Sequence, residues 1–157
     1  MSCVLDRINT PADLQGLTGT ELDALAEEIR RLIIDTVSAN GGHMASNLGV
    51  VEITLALHRV LDSPKDKIVW DTSNQSYAHK LVTGRAGTFT SLRQPDGLSG
   101  FAAREESPHD VMGAGHAGTG VSAGVGIALA NRLRGLESST VTVIGDGSFT
   151  SGVVFEA

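Results

Sequence analysis

The sequence predicts an α/β fold in which a mostly parallel sheet is flanked by helices. Stretches with helical spacing of apolar residues alternate with short apolar or β-branched runs, as in strand-helix-strand units. One such run, residues 140–144, leads directly into Gly145-Asp146-Gly147 and a potential helix start. The chain contains 19 glycines and only 4% aromatic residues, which indicates tight turns and close backbone packing.

Composition excludes several functional classes. The 157 residues are enough for one globular domain. A formal net charge of −6 without a basic cluster argues against a nucleic-acid partner. The only cysteine is Cys3, so neither an intrachain disulfide nor a cysteine-based metal cluster can form. The sequence has no signal peptide and no apolar run long enough to span a membrane, so we expect a cytoplasmic protein without a membrane partner.

The first strongly periodic stretch predicts a helix over residues 20–39. Thr18 and Glu21 have the spacing of a capping box at its start, and Gly41 and Gly42 would end it. The apolar residues at helical spacing are Leu22, Leu25, Ile29, Leu32, Ile33 and Val37.

A second helix is predicted over residues 48–61, with Pro64 just beyond its end. His58 falls on its apolar face, so we expect a core residue rather than a ligand. A short buried strand over residues 68–70 then ends at Asp71.

The rest of the chain combines helices with a long irregular segment. We expect a short helix over residues 76–82 and a loop-rich segment at about 86–112, in which His109 would be solvated. Periodicity returns over residues 119–133, a helix rich in glycine and alanine that can lie close to a sheet.

The strongest candidate site follows the β-branched run. An acidic residue at the end of a parallel strand can hold a divalent cation, and N–H groups at a helix start can meet a phosphate. Asp146 is therefore a candidate metal ligand, with Gly147 and Ser148 beside a diphosphate. Asp-Gly between apolar residues is also a hairpin signal. The predicted parallel sheet favours the ligand site over the hairpin.

A second glycine motif lies upstream. Residues 113–118 match the G-x-G-x-x-G pattern of dinucleotide-binding folds, and Glu137 lies where a ribose-binding acid would be expected. That motif requires a preceding strand, and residues 107–112 are a poor strand sequence. A dinucleotide-binding oxidoreductase is thus kept only as an alternative.

A series of sequence blocks runs in order along nearly the whole chain. The blocks are L-D-R-I-N-T-P-A-D-L from residue 5, G-G-H-M-A-S-N-L-G-V-V-E from 41, W-D-T-S-N-Q-S-Y-A-H-K from 70, V-T-G-R from 82, G-L-S-G-F-A-A-R-E-E-S from 97, G-H-A-G-T-G from 115 and G-D-G-S from 145. Together they resemble the N-terminal part of the 1-deoxy-D-xylulose 5-phosphate synthase family. That family is a transketolase-like group of thiamine diphosphate enzymes.

The resemblance implies a partial thiamine diphosphate-binding domain over residues 1–157. It implies a transferase of isoprenoid biosynthesis that joins pyruvate, with loss of carbon dioxide, to glyceraldehyde 3-phosphate. Thiamine diphosphate and Mg²⁺ would be its cofactors. It further implies a homodimer, or a complex with a chain that supplies the missing pyrimidine-binding domain.

The resemblance also assigns roles to residues. Asp146 would be the magnesium ligand, and Gly147 and Ser148 would touch the diphosphate. Gly115, His116 and Ala117 match a cofactor-contacting G-H-S segment. His43 matches a histidine that faces the substrate and assists proton transfer, a task that suits this residue type because an unperturbed imidazole has a pKa near neutrality. His79 and Lys80 match an H-K pair whose role, catalytic or structural, the sequence leaves open.

The chain departs from the family pattern in two ways. Where the family reads G-H-Q-A-Y, residues 73–77 read S-N-Q-S-Y, so Asn74 replaces a cofactor-contacting histidine. An asparagine side chain keeps a donor and an acceptor but carries no proton at neutral pH. The chain is also expected to be truncated, since the family's asparagine metal ligand and pyrimidine-binding domain lie beyond Ala157. A non-catalytic or split-subunit relative acting as a binding partner, and a transketolase-like enzyme with another acceptor, therefore remain alternatives.

Overall fold

The computed structural model describes residues 3–113 and 115–157, which form two compact units. The helical unit comprises the described residues up to Asp62 together with Gln75–Gly100. The sheet unit comprises Ser63–Asn74 and Phe101–Ala157. The chain therefore enters the sheet unit for one strand, returns to the helical unit, and then completes the sheet unit.

The helical unit is built mainly from four α-helices and three 3₁₀ helices. The α-helices are α1 (Gly19–Asn40), α2 (Ala45–Leu48), α3 (Val51–Val60) and α4 (Tyr77–Lys80), and the 3₁₀ helices span Leu5–Arg7, Pro11–Gly16 and Ala86–Ser91. A π-type turn over Leu81–Arg85 follows α4. Its Gly84 has φ +88°, and a Cβ there would lie 2.9 Å from the carbonyl oxygen of Asn9, so this turn requires glycine.

The predicted capping box begins α1. Thr18 Oγ1 accepts the N–H of Glu21 at 3.3 Å, and the Glu21 carboxylate accepts the N–H of Thr18 at 2.9 Å. These bonds satisfy N–H groups that a helix start otherwise leaves without partners. The helix ends at Gly41, where φ is +77°. The sequence prediction for this helix is confirmed at both ends.

The second predicted helix begins later than expected. Instead of one helix over 48–61, the short α2 ends at Leu48 and α3 begins at Val51. Val50 between them has φ −119° and ψ 11°, which is not helical. The buried faces of α1 and α3 meet the residues around α4 in one core, whose largest fully buried apolar side chains are Leu14, Leu25, Ile29, Ile33, Tyr77, Leu81, Phe89 and Leu92.

The sheet unit contains two parallel strands. Strands β1 (Lys67–Trp70) and β2 (Thr140–Val143) pair in register from Lys67 opposite Thr140 to Trp70 opposite Val143. The prediction of parallel pairing is confirmed. Because β2 pairs with a strand far upstream and continues into a helix, the hairpin interpretation of residues 145–147 is wrong.

Helix α5 (Thr119–Leu133) has the predicted bounds and packs on this sheet. A Cβ at Gly124 would clash with Thr142 Oγ1, so glycine permits the close contact between α5 and β2. After β2 come the short helix α6 (Asp146–Phe149) and a 3₁₀ helix over Gly152–Glu156.

The irregular segment predicted at about 86–112 begins with the 3₁₀ helix Ala86–Ser91, and residues 92–112 contain neither helix nor strand. The expectation that His109 is simply solvated is wrong. It is half-buried, and its Nδ1 lies 2.8 Å from Ser63 Oγ. The two residues lie far apart in the sequence, so the contact could not be predicted from local pattern.

The sheet unit leaves large apolar side chains in solvent. They lie on α5, in the turn after it and near the end of the chain: Val125, Leu129, Leu133, Leu136, Phe149, Val153 and Phe155. Among residues 3–113 and 115–157, no helix combines the length and apolarity needed to span a membrane.

Candidate functional site

Three segments of the sheet unit meet at the carboxyl ends of β1 and β2. Parallel pairing places residues 71–74, which follow β1, beside residues 144–148, which follow β2. The N–H of Asp71 extends the ladder by donating to the carbonyl of Val143 at 2.8 Å. Residues 115–120 join them through Asp71. This edge is where parallel α/β sheets bind ligands.

Asp71 ties the start of α5 to the end of β1. Its side chain is 1% exposed, and its two carboxylate oxygens accept the N–H groups of Gly118 at 3.0 Å and Gly120 at 2.8 Å. A Cβ at Gly120 would lie 2.9 Å from the Cα of Asp71, so glycine is needed for this approach. In the sequence, Asp71 is apparent only as the residue that ends a strand, and no local pattern signals its contacts with Gly118 and Gly120.

The turn after Asp71 has an unusual backbone. Thr72 and Ser73 have φ +56° and +62°, a left-handed conformation that favours glycine and costs about 1 kcal/mol or more per residue. Ser73 is fully buried, and its Oγ accepts the N–H of Ala102 at 2.9 Å. Thr72 Oγ1 lies 3.3 Å from Ser148 Oγ. Such strained residues cluster at functional sites, and this pair leads directly into half-buried Asn74.

The segment after β2 is open to solvent. Gly145, Asp146 and Gly147 are exposed, and Ser148 is half-buried against Thr72. A Cβ built on Gly145 or Gly147 would meet no atom within 4 Å, so there is free space beside this backbone. The segment therefore presents one carboxylate, one hydroxyl and accessible backbone to a ligand.

The third segment carries His116. Gly115, His116 and Ala117 are exposed, and Gly115 has φ +146° with nothing within 4 Å of a built Cβ. The hydroxyl of Thr119 donates to the carbonyl of His116 at 2.9 Å and so helps to fix the loop. Residue 114, in the middle of the G-x-G-x-x-G match, lies outside the described residues. Residues 107–112, which lie directly before Gly113, contain no strand.

His43 belongs to the helical unit, whereas Asn74, residues 115–117 and residues 146–148 belong to the sheet unit. The backbone of His43 is held on both sides: its N–H donates to Tyr77 Oη at 3.4 Å, and its carbonyl accepts from Asn47 Nδ2 at 2.6 Å. Asn47 Oδ1 in turn accepts the N–H of Tyr77 at 2.8 Å. Buried Asn47 and Tyr77 thus fix the main chain that carries an exposed imidazole.

The other histidines of the helical unit lie in its core. His58 and His79 are 1% and 0% exposed, their rings stack with centroids 5.0 Å apart, and His58 Nε2 lies 2.9 Å from His79 Nδ1. The prediction that His58 is a core residue is confirmed. Lys80 is also fully buried. Both members of the H-K pair are thus buried in the helical unit.

The donor set at the strand ends suits a diphosphate with a hard cation. Asp146, Thr72 and Ser148 supply oxygen atoms, and Mg²⁺ typically uses one or two carboxylates together with phosphate and water oxygens. Within residues 3–113 and 115–157, no group of three or more His, Cys, Asp or Glu side chains could hold a metal ion.

A family model described as 1-deoxy-D-xylulose-5-phosphate synthase matches residues 5–157. The chain belongs to this family. The resemblance stated from the sequence is therefore confirmed. Membership in the 1-deoxy-D-xylulose-5-phosphate synthase family also removes the basis for the dinucleotide-binding alternative, which rested on the glycine motif alone.

Curated relatives agree with the family model. The chain is 60% identical over 156 residues to 1-deoxy-D-xylulose-5-phosphate synthase 2 of Geobacter sulfurreducens, covering 99% of this chain and 25% of that protein. It is 58% identical over 157 residues to the synthase of Dehalococcoides mccartyi, covering 100% of this chain and 24% of that protein. The chain thus spans about a quarter of the length of these relatives.

A solved structure supports the fold. Transketolase from Leishmania mexicana superposes with a TM-score of 0.74 at 23% identity, covering 86% of this chain and 24% of that one. At this identity the likeness shows the fold alone, and it confirms the transketolase-like α/β architecture expected from the sequence.

Proposed function

We propose that this chain supplies the diphosphate and magnesium side of a thiamine diphosphate-dependent transferase. In the reaction proposed, pyruvate loses carbon dioxide and its remaining two-carbon unit is joined to glyceraldehyde 3-phosphate. The observation that carries the proposal is the meeting of residues 71–74, 115–120 and 145–148 at one sheet edge in a chain of this family.

The proposed cofactor-binding residues all belong to the sheet unit. Asp146 would hold Mg²⁺, because its exposed carboxylate at the end of β2 offers the hard oxygen that this cation prefers. The diphosphate would lie against residues whose backbone or hydroxyl is accessible: Asn74, Gly115, His116, Ala117, Gly147 and Ser148. When bound, thiamine diphosphate supplies the electron sink that decarboxylation of a 2-oxo acid requires.

Proton handling is assigned to His43. An imidazole nitrogen can donate or accept a proton near neutral pH, and the backbone contacts with Tyr77 and Asn47 hold this residue in place. Asn74 is assigned a hydrogen-bonding role only, because its amide cannot carry a proton at neutral pH. Position 74 therefore supplies no group for proton transfer.

We propose further that the working enzyme contains protein beyond this chain, either as a homodimer or as a complex that provides a pyrimidine-binding domain. The chain spans a quarter of its relatives, and the sheet unit exposes apolar side chains suited to packing against more protein. The expected compartment is the cytoplasm. An acceptor other than glyceraldehyde 3-phosphate would require the same cofactor residues.

The test is thiamine diphosphate binding with and without Mg²⁺, measured by native mass spectrometry and calorimetry on the assembly in which the chain is isolated. Binding should depend on Mg²⁺ and should be lost in Asp146→Ala. Glu137→Ala removes another exposed carboxylate of the sheet unit and should leave binding unchanged. Equal affinity in Asp146→Ala and the unaltered chain would refute the assignment.

One feature favours a second candidate. Asn74 in place of an imidazole is compatible with a non-catalytic relative that keeps the fold and binds a partner. This candidate predicts that no assembly containing the chain retains thiamine diphosphate at any Mg²⁺ concentration. Retention of the cofactor together with consumption of pyruvate would exclude it.

A further inference from the structure

We propose that Asp71 is a positioning residue, whose buried carboxylate sets the conformation of residues 115–120 for the diphosphate. This inference rests on the function proposed above. Asp71 itself would not touch the diphosphate, because it is only 1% exposed and a carboxylate repels phosphate oxygens. Its oxygens instead accept the N–H groups of Gly118 and Gly120 and the hydroxyl of Thr72, the last at 3.3 Å.

The contacts fix the segment at two points. Gly118 immediately follows the exposed residues 115–117, and Gly120 lies in the first turn of α5. A carboxylate at a helix N-terminus is favoured by the helix dipole, and hydrogen bonds to an ionised acceptor are stronger than neutral ones. Because Asp71 is 1% exposed, water competes little for these bonds. The carboxylate therefore holds both the loop and the helix start against β1.

This arrangement also limits where a diphosphate can bind. The N–H groups of Gly118 and Gly120 are engaged by Asp71 and are not available to a second anion. The diphosphate must then use residues 115–117 on one side and residues 147–148 on the other. Asp71 determines the separation of these two groups, because the next residue, Thr72, contacts Ser148 across the strand ends at 3.3 Å.

Two variants disturb this arrangement by different means. Asp71→Asn keeps the size of the side chain but offers one acceptor oxygen, so one N–H loses its partner. Gly120→Ala leaves the Asp71 side chain chemically unchanged. It adds a Cβ only 2.9 Å from the Cα and Cβ of Asp71, which forces α5 and Asp71 apart. Gly126→Ala is the matched control, since it is the same substitution in the same helix at a position where a Cβ would meet no atom within 4 Å.

The experiment measures the thiamine diphosphate dissociation constant in Mg²⁺, the amide hydrogen exchange of Gly118 and Gly120, and urea unfolding, all on the full chain in its isolated assembly. We expect Asp71→Asn and Gly120→Ala to weaken binding about tenfold or more under conditions where each variant is folded. Both should also accelerate exchange at Gly118 and Gly120. Gly126→Ala should leave the dissociation constant within about twofold.

The outcomes separate the possibilities. Unchanged affinity in folded Asp71→Asn and Gly120→Ala would overturn the inference, as would an equal loss of affinity in Gly126→Ala, since the effect would then not require the contact with Asp71. If the unaltered assembly binds no thiamine diphosphate, the proposed function fails instead. In that case, faster exchange confined to Asp71→Asn and Gly120→Ala would still establish that Asp71 orders this segment, and its absence would reject that role.

Discussion

The hydroxyl of Thr72 lies 3.3 Å from the hydroxyl of Ser148, although 76 positions separate the two residues in the sequence. Each residue follows one of the two parallel strands, so the contact joins the turns that leave β1 and β2. Thr72 reaches it from a left-handed backbone conformation, with φ +56°. The two turns therefore form one connected surface rather than two independent loops.

This contact predicts coupled effects on cofactor binding. Thr72→Val and Ser148→Ala should each weaken the affinity for thiamine diphosphate in Mg²⁺, and the double variant should lose less than the sum of the two. Residues in direct contact show interaction energies of about 0.5 kcal/mol or more. Calorimetric titration of the four proteins measures the coupling. Thr150→Val, which removes a hydroxyl bonded to the carbonyl of Gly147, is the control and should combine additively with Thr72→Val.

The capping box of α1 predicts a local stability effect. Thr18→Ala removes the hydroxyl that accepts the N–H of Glu21, and loss of an N-cap side chain costs about 1 kcal/mol. Thr20→Ala changes an exposed threonine in the same first turn and should alter the free energy of unfolding by less than about 0.5 kcal/mol. Urea denaturation measures both. Equal losses in the two variants would contradict the capping role.

The same box predicts how stability depends on pH. Hydrogen bonds from the backbone N–H of Thr18, together with the Arg7 guanidinium, lower the pKa of Glu21 from 4.5 to about 2. A carboxyl with a depressed pKa stabilises the fold fully above 4.5 and loses this contribution as the pH falls towards 2. The stability difference between the unaltered chain and Glu21→Gln should thus be constant above about pH 5.5 and disappear near pH 2. A constant difference across this range would refute the prediction.

The stacked rings of His58 and His79 predict a large loss of stability when one of them is removed. His79→Ala removes a fully buried imidazole, leaves a cavity and deprives His58 Nε2 of its 2.9 Å contact. We expect a loss of about 2–4 kcal/mol in unfolding free energy. His116→Ala, at an exposed position, should change stability by less than about 0.5 kcal/mol. A small effect in His79→Ala would show that the pair does not contribute to the core.

The segment carrying His43 provides a pair of neighbouring glycines for comparison. Both Gly41 and Gly42 have positive φ, but only at Gly42 would a Cβ meet a neighbour, Tyr77 Oη at 2.8 Å. Gly42→Ala should therefore displace the hydroxyl that accepts the His43 N–H and reduce turnover of pyruvate by the complete assembly. Gly41→Ala also strains the backbone, because φ is positive there, but its Cβ would meet no neighbour. It should therefore reduce turnover less than Gly42→Ala does. Equal turnover in the two variants would contradict this assignment.

Elements defined by local sequence could be predicted well. The bounds of α5, Thr119–Leu133, follow from a periodic stretch of small and apolar residues, and the start of α1 follows from the spacing of Thr18 and Glu21. The break between α2 and α3 was missed, because a single glycine followed by valine is compatible with a continuous helix.

The contacts that build the candidate site could not be predicted in the same way. Asp71 and Gly118 are 47 positions apart, and only the parallel pairing of the strands together with packing of α5 brings them into contact. The left-handed turn at Thr72 and Ser73 carries no glycine to signal it. The partner of His109, Ser63, likewise depends on tertiary structure.

The single tryptophan of the chain, Trp70, is the last residue of β1 and is almost fully buried next to Asp71. Trp70 therefore directly precedes the turn whose residues Asp71 and Thr72 contact residues 118–120 and Ser148, respectively. A ligand or substitution that moves this turn would change the surroundings of the only indole, and hence its emission wavelength and lifetime. This chain thus contains a single intrinsic fluorescent probe, placed at the edge of its candidate site.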